Sequence, residues 1–265
     1  MGQGQETQAQ RTQFQGTRRV LVTGGGRGLG AAIVKTLASA GHDVTFSYRS
    51  SADEAEAAVK ALTAAHPEQK FAALQVDLAD RDAVAAFTAA LDGGAPYYGL
   101  VHNAGHTYDA LAVMMDQAKA EVAMQVNYWS FTRLANALLR PMMRAKNGRV
   151  AVIGSVTALQ ANQGNAAYAA SKAALLAYTR TLAVEVARAG VTVNYVAPGF
   201  IDTEMLAPYA KFRDTMEGQI PARRFAAPEE IASVVAFLMS PGASYVTGAV
   251  LPVDGGLSAA LGVHR

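Results

Sequence analysis

From Arg18 onward, short runs rich in β-branched residues alternate with Ala-rich stretches of helical length, and this rhythm restricts the fold more than any other feature. The runs Arg19–Thr23, Val44–Tyr48, Phe71–Val76, Gly99–His102, Arg149–Gly154 and Val191–Ala197 lack strict alternation, the pattern of strands covered on both faces. Between them, Gly28–Ala40, Ala52–Ala65, Asp80–Leu91, Ala118–Ala145 and Ala166–Ala189 read as helices. Val250–Val253 reads as a last strand, after a helix opening near Pro228–Glu230. Alternating β and α elements with right-handed crossovers give an α/β, doubly wound parallel sheet. No Gly/Ser/Pro-rich linker and no repeat interrupts the chain, so residues 18–265 are expected to form a single domain.

Composition narrows the function. A 265-residue chain that is 51% hydrophobic buries about 70–75% of its unfolded surface and needs no staple. It has no cysteine, which excludes disulfides, thiolate nucleophiles and Cys-based metal sites and fits a reducing cytoplasm. A net charge of +2 speaks against a general nucleic-acid partner. No apolar run reaches the roughly 18–20 residues of a membrane span. Residues 1–17, rich in Gln and Thr, read as a disordered leader outside the fold.

The segment Thr23-Gly24-Gly25-Gly26-Arg27-Gly28-Leu29-Gly30 joins the first strand to the first helix. Glycines there allow a sharp turn and close approach to a pyrophosphate, and the helix N-terminus favours negative charge. A Gly-rich stretch alone could be a mere tight turn, but strand before and helix after make it a dinucleotide site of the Rossmann type. An NAD site usually ends its second strand with a carboxylate. Here that strand ends Ser47-Tyr48-Arg49-Ser50, and Arg27 and Arg49 suit a 2′-phosphate, so NADP(H) is expected.

A second constellation is Ser155, Tyr168 and Lys172. Ser155 follows a strand, at the carboxyl end of the sheet where open α/β folds bind ligands. Tyr168 and Lys172 are four apart on one helix and share a face. Reduction of a ketone by hydride leaves an alkoxide that needs a proton near neutrality, whereas free tyrosine titrates near 10. An adjacent ammonium and a cationic nicotinamide would each stabilise the phenolate. Tyr168 is therefore expected to be general acid in reduction and base in the reverse direction. Ser155 would hydrogen-bond the carbonyl oxygen as charge develops.

Thr23–Gly30, Asn103-Ala104-Gly105, Asn127, Ser155, Tyr168-x3-Lys172 and Pro198-Gly199-x3-Thr203 resemble, in this order, the motifs of the short-chain dehydrogenase/reductase family across residues 18–257. The resemblance implies that Lys172 also binds the nicotinamide ribose and that Asn127 holds a water linking Lys172 to solvent. It implies that Asp77, with Leu78 beside it, contacts adenine. Asn103, Ala104 and Gly105 would line the adenosine ribose and diphosphate. Pro198, Gly199, Ile201 and Thr203 would embrace the nicotinamide, and the assembly would be a homotetramer. Arg149–Val156, Asn194–Asp202, Ile220–Arg224 and Ala243–Gly248 look most similar to the 3-oxoacyl-[acyl-carrier-protein] reductases. Tyr128-Trp129 and the tail ending Val263-His264-Arg265 depart from that pattern and leave room for a specialised acyl chain.

The expected activity is thus NADPH-dependent reduction of a 3-oxoacyl thioester, carried by an acyl carrier protein. The alternatives are a reductase of a free small ketone, sugar or polyketide, or an NADP-binding regulator without turnover. An intact Asn127, Ser155, Tyr168 and Lys172 argues against the regulator. The stretch Thr203–Arg224 breaks the β/α rhythm and reads as a substrate lid rather than a plain surface helix pair.

Between Glu121 and Glu185 there is no Asp or Glu, while Arg133, Arg140, Arg144, Lys146, Arg149, Lys172 and Arg180 give +7, leaving −5 for the rest. Arg133, Arg140 and Arg144 fall on one helical stripe, suited either to steering an acidic carrier protein or to solvent and subunit contacts. His102 and His106 straddle a strand end rather than one helix face and lack a third ligand, so no metal is expected; His106 is a candidate lining of the cleft. Met114, Met115, Met124, Met142 and Met143 read as core or interface filling.

Overall fold

The computed structural model describes residues 18–91 and 95–260; the leader 1–17 and the tail ending Val263–Arg265 lie outside them. Seven strands form the sheet: β1 (Arg18–Thr23), β2 (His42–Tyr48), β3 (Phe71–Gln75), β4 (Gly99–His102), β5 (Gly148–Ile153), β6 (Val191–Pro198) and β7 (Val250–Val253). All pairings are parallel, in the order β3-β2-β1-β4-β5-β6-β7. The helices are α1 (Gly28–Ser39), α2 (Ala52–Ala65), α3 (Arg81–Leu91), α4 (Gln117–Met124), α5 (Ser130–Arg144), α6 (Ala166–Val186), α7 (Arg213–Gln219) and α8 (Pro228–Met239). Every strand read from the sequence is present, with ends shifted by at most two residues, because buried parallel strands announce themselves as apolar runs.

The sheet carries a core on each face. In β1, Leu21 packs on one side with Leu100, Phe131, Leu134, Val152, Leu175 and Tyr195. Its neighbours Val20 and Val22 point the other way, toward Ile33, Leu37, Phe46, Ile231 and Val235. α5 presents Phe131, Leu134, Ala135, Leu138, Leu139 and Met142 to the first core, the i, i+3, i+4 spacing of an amphipathic helix. β1 pairs with both β2 and β4, so the chain winds outward in opposite directions from these strands. A crevice opens at their carboxyl ends, where doubly wound sheets bind ligands.

One reading is corrected. The single helix expected over Ala118–Ala145 is α4 and α5 joined by a π turn, Gln125–Trp129, in which the Ser130 amide reaches back five residues to the Gln125 carbonyl. The methionines divide between core and surface. Met142 is buried, but Met114 is 75% exposed and Met115 and Met143 are exposed as well. Among the described residues, no helix is long and apolar enough to cross a membrane.

Candidate active site

The loop between β1 and α1 forms a backbone cradle. Gly24 and Gly28 have φ of +66° and +51°, which side-chain-bearing residues rarely adopt. A Cβ on Gly30 would stand 1.9 Å from the Gly24 carbonyl oxygen and 2.7 Å from Asn103 Nδ2, so only glycine lets the helix close on the loop. The first turn of α1 carries no carboxylate, and its amides face the crevice as a ready anion site. This cradle fits a pyrophosphate. At the end of β2, Tyr48 is half-buried while Arg49 and Ser50 are exposed. Arg27 precedes α1, with its guanidinium 3.8 Å from the Glu204 carboxylate and both side chains solvated. Exposed Asp77 accepts from the Ala79 amide at 2.9 Å, and the carbonyl of buried Leu78 accepts from Gln125 Nε2 at 3.2 Å.

Parallel register sets Thr23 beside His102, and their side chains meet. Thr23 Oγ1 accepts from the amides of Asn103 and Ala104, both at 3.0 Å, and lies 3.1 Å from His102 Nδ1. His102 Nε2 lies 3.2 Å from the Asn127 carbonyl, which can only accept. The neutral ring therefore carries its proton on Nε2, and Thr23 donates to Nδ1. Asn127 continues the chain of contacts. Its Nδ2 donates to Ser171 Oγ at 2.8 Å and to the His106 carbonyl at 3.0 Å, and its Oδ1 accepts from the His106 amide at 2.7 Å. Ser171 in turn donates to the Tyr168 carbonyl at 2.7 Å. Gly105 passes so close that a Cβ there would meet Lys172 Nζ at 3.5 Å and Asn127 Oδ1 at 3.6 Å.

Ser155 follows β5, and its Oγ accepts from the Thr157 amide at 3.1 Å and the Thr157 hydroxyl at 2.9 Å. Those contacts leave the serine proton to point elsewhere. Lys172 is almost wholly buried, and its Nζ donates to the Ile153 carbonyl at 2.9 Å and lies 5.7 Å from the centre of the Tyr168 ring. Thus Asn127, Ser155, Tyr168 and Lys172 converge on one side of the crevice, with the glycine cradle on the other. Thr157, Ser171 and Tyr195 belong to this cluster too. Their partners are distant in sequence or local to a turn, and no sequence motif marks them.

Burial dominates the electrostatics. Tyr168 is pushed up to about 12 by desolvation, partly offset by a hydrogen bond with Ser155 and reinforced by the Asp109 carboxylate. Desolvation sets the direction for the phenol, and the expected stabilisation of phenolate by Lys172 together with a cationic nicotinamide concerns the site with dinucleotide bound. Lys172 itself is pulled down to about 8 by burial. Tyr168 is therefore held protonated at neutral pH, the state a proton donor needs.

The stretch expected to be a lid runs as 3-10 turns, Glu204–Phe212, followed by α7. Its first residue, Thr203, packs over the cradle, where a Cβ on Gly28 would meet Thr203 Cγ2 at 3.7 Å. Further on, the Tyr209 hydroxyl bonds the Asp109 carboxylate, which also accepts from Asn165 Nδ2 at 2.6 Å just before α6. The segment thus spans from the phosphate loop to the helix bearing Tyr168. Pro198 ends β6 and Gly199 follows it, where a Cβ would stand 2.9 Å from Asp254 Cβ, and Ile201 bridges to Ala226. The basic stripe changes on folding. Arg140 and Arg144 are exposed, but Arg133 is half-buried with Nη1 shut from solvent. Arg144 lines a cleft with Pro96 and Tyr97, just ahead of β4, at the end of the sheet opposite Tyr168. Among the described residues no three His, Asp or Glu side chains gather as a metal site.

A glycine cradle at the switch point facing a Ser–Tyr–Lys cluster defines a dehydrogenase/reductase fold and site. A family model described as enoyl-(acyl carrier protein) reductase matches residues 24–258, and the chain belongs to this short-chain dehydrogenase/reductase family. It is an oxidoreductase. Over 243 residues it is 42% identical to the 3-oxoacyl-[acyl-carrier-protein] reductase MabA of Mycobacterium tuberculosis, covering 91% of this chain and 93% of that one. Over 241 residues it is 44% identical to the 3-oxoacyl-[acyl-carrier-protein] reductase FabG of Pseudomonas aeruginosa, covering 89% and 96%. A solved structure described as a gluconate dehydrogenase of Agrobacterium tumefaciens superposes with a TM-score of 0.87 at 27% identity, covering 93% of this chain and 98% of the other.

His102 makes the fold acid-sensitive in a defined way. Burial and the nearby Lys172 charge pull it from 6.5 to about 3. Between these values the unfolded chain takes up a proton that the folded chain refuses, so stability falls as pH drops below 6.5. Urea unfolding at pH 7 and pH 4 should record that loss, and His102→Asn should make it shallower.

Proposed function

We propose that this oxidoreductase reduces the ketone of a 3-oxoacyl thioester to a 3-hydroxyacyl product with NADPH. The observation that carries the reading is the pairing of a protonated Tyr168 with Ser155 across one face of the crevice, a donor pair matched to a carbonyl oxygen. Thr23, Gly24, Arg27, Gly28, Leu29, Gly30, Asn103, Ala104 and Gly105 would hold the dinucleotide, with Tyr48, Arg49 and Ser50 at the 2′-phosphate and Asp77 and Leu78 toward adenine. Pro198, Gly199, Ile201 and Thr203 would frame the nicotinamide end. When bound, the dinucleotide supplies the hydride.

Tyr168 gives its proton to the carbonyl oxygen as negative charge gathers there, and Ser155 donates a hydrogen bond to the same atom. Lys172, still charged at neutral pH, stabilises that charge and holds the β5 end through the Ile153 carbonyl. Asn127 anchors the loop after β4 against α6 and would steady a water between Lys172 and solvent. The names of the MabA and FabG relatives support a 3-oxoacyl substrate on a carrier protein. The likeness to the gluconate dehydrogenase keeps a free sugar or small ketone as the second reading. The basic stripe enters as a docking face for an acidic carrier, although in one chain its distance from Tyr168 demands a long flexible arm. Homotetramer formation belongs to the same reading, supported by exposed Trp129, Val184 and Phe237 on the helical surface.

Dinucleotide oxidation with acetoacetyl-type thioesters, beside free ketones and sugars, tests the substrate class, with NADH as the cofactor control. Faster turnover of free ketones, or a preference for NADH, would overturn the assignment. Tyr168→Phe should bind NADPH with near wild-type affinity by fluorescence titration yet lose turnover by at least about 100-fold, within the range for a lost general acid. Charge reversal at Arg140 and Arg144 should raise KM for a carrier-bound substrate and leave a small thioester mimic unaffected; equal effects on both would remove the docking face.

A further inference from the structure

Tyr195, in the middle of β6, is fully buried, and its hydroxyl touches two catalytic residues from beneath. The Ser155 amide donates to Tyr195 Oη at 3.1 Å, and Oη donates to the Lys172 carbonyl at 3.1 Å. From the other side, Lys172 Nζ donates to the Ile153 carbonyl at 2.9 Å. These bonds close a ring: Ile153 and Ser155 are two residues apart on β5 and its exit, and both are tied to Lys172, one through its side chain and one through its backbone. The residue between them is Gly154. A Cβ there would stand 1.7 Å from Tyr195 Cζ and 2.0 Å from Oη, so the phenol fills the space that a side chain at position 154 would occupy.

We propose that Tyr195 is a positioning residue for the reduction, its hydroxyl setting the spacing between Ser155 and the turn of α6 that carries Tyr168 and Lys172. The proposal rests on the assignment of those three residues to the reaction. A hydroxyl suits this place because it accepts from one buried backbone group and donates to another at once, which neither phenylalanine nor an aliphatic side chain can do. Burial holds the phenol above its ordinary value, so it keeps the proton it donates to Lys172. Displacements of about 1 Å between reacting groups are enough to cost large factors in rate, so a fixed spacing here acts on kcat rather than on cofactor binding.

Tyr195→Phe keeps the ring against Gly154 and removes only the hydroxyl. We expect its kcat to fall by about 10-fold or more, while NADPH affinity stays within about two-fold of wild type. Gly154→Ala supplies an independent arm, since its methyl must displace the ring. It should lower kcat in the native background and cause no further loss beside Tyr195→Val. Unchanged kcat in Tyr195→Phe overturns the proposal. So does a fall accounted for by the folded fraction from thermal unfolding, or a Gly154→Ala effect that is the same in both backgrounds. Tyr168→Phe, assayed in parallel, separates the two readings. Turnover surviving there removes the reaction assignment itself, whereas turnover lost there but intact in Tyr195→Phe removes only the role of Tyr195.

Discussion

The hydroxyl of Thr23 is the smallest part on which the site depends. It stands where β1 and β4 run side by side and the chain departs in opposite directions, and it serves three partners at once. Two amides of the loop after β4 fold onto it, which brings Asn103 over the phosphate loop. Its proton goes to His102, and His102 passes the connection to Asn127 and from there to Ser171 and α6. The glycine cradle and α6 are therefore one hydrogen-bonded body. Removing the hydroxyl would leave its three partners, the two amides and His102 Nδ1, unpaired, a cost of about 1–3 kcal/mol apiece where they are buried.

Burial sets the direction of the proton chemistry. It raises the Tyr168 phenol and lowers the Lys172 ammonium, moving each toward its neutral form. In the proposed reduction the proton would already be in place on Tyr168, and the reverse reaction would first have to remove it against desolvation. The same physics keeps His102 neutral between Thr23 and Asn127, where a second positive charge beside Lys172 would be costly.

Much of this was legible in the letters, and what was not has a physical reason. The strands show themselves because a buried parallel strand needs apolar residues on both faces, and the cradle because φ values at Gly24 and Gly28 leave few other choices. The upward push that burial gives the Tyr168 phenol is not written in any local pattern, since desolvation depends on what the fold packs around it. Tyr195 and Gly154 are 41 positions apart, and nothing in either local pattern reveals that one fills the other's space. Arg133 lies on the same helical stripe as Arg140 and Arg144, yet the packing of α5 leaves it half-covered.

The π turn escaped notice because the spacing of Ala120, Ala123, Asn127, Phe131, Leu134 and Leu138 runs through it as if the helix were continuous. A π turn houses one residue more than an α turn. The segment Gln125–Trp129 therefore acts as a counting device. Deleting one residue there would restore a regular helix with α4 and α5 still nearly in phase, because the wider turn already takes up the extra residue. Buried Ala120 and Ala123, and the Asp116 cap, would keep their places. The same deletion in a regular turn of α5 would instead rotate one part of the helix against the other by about 100°.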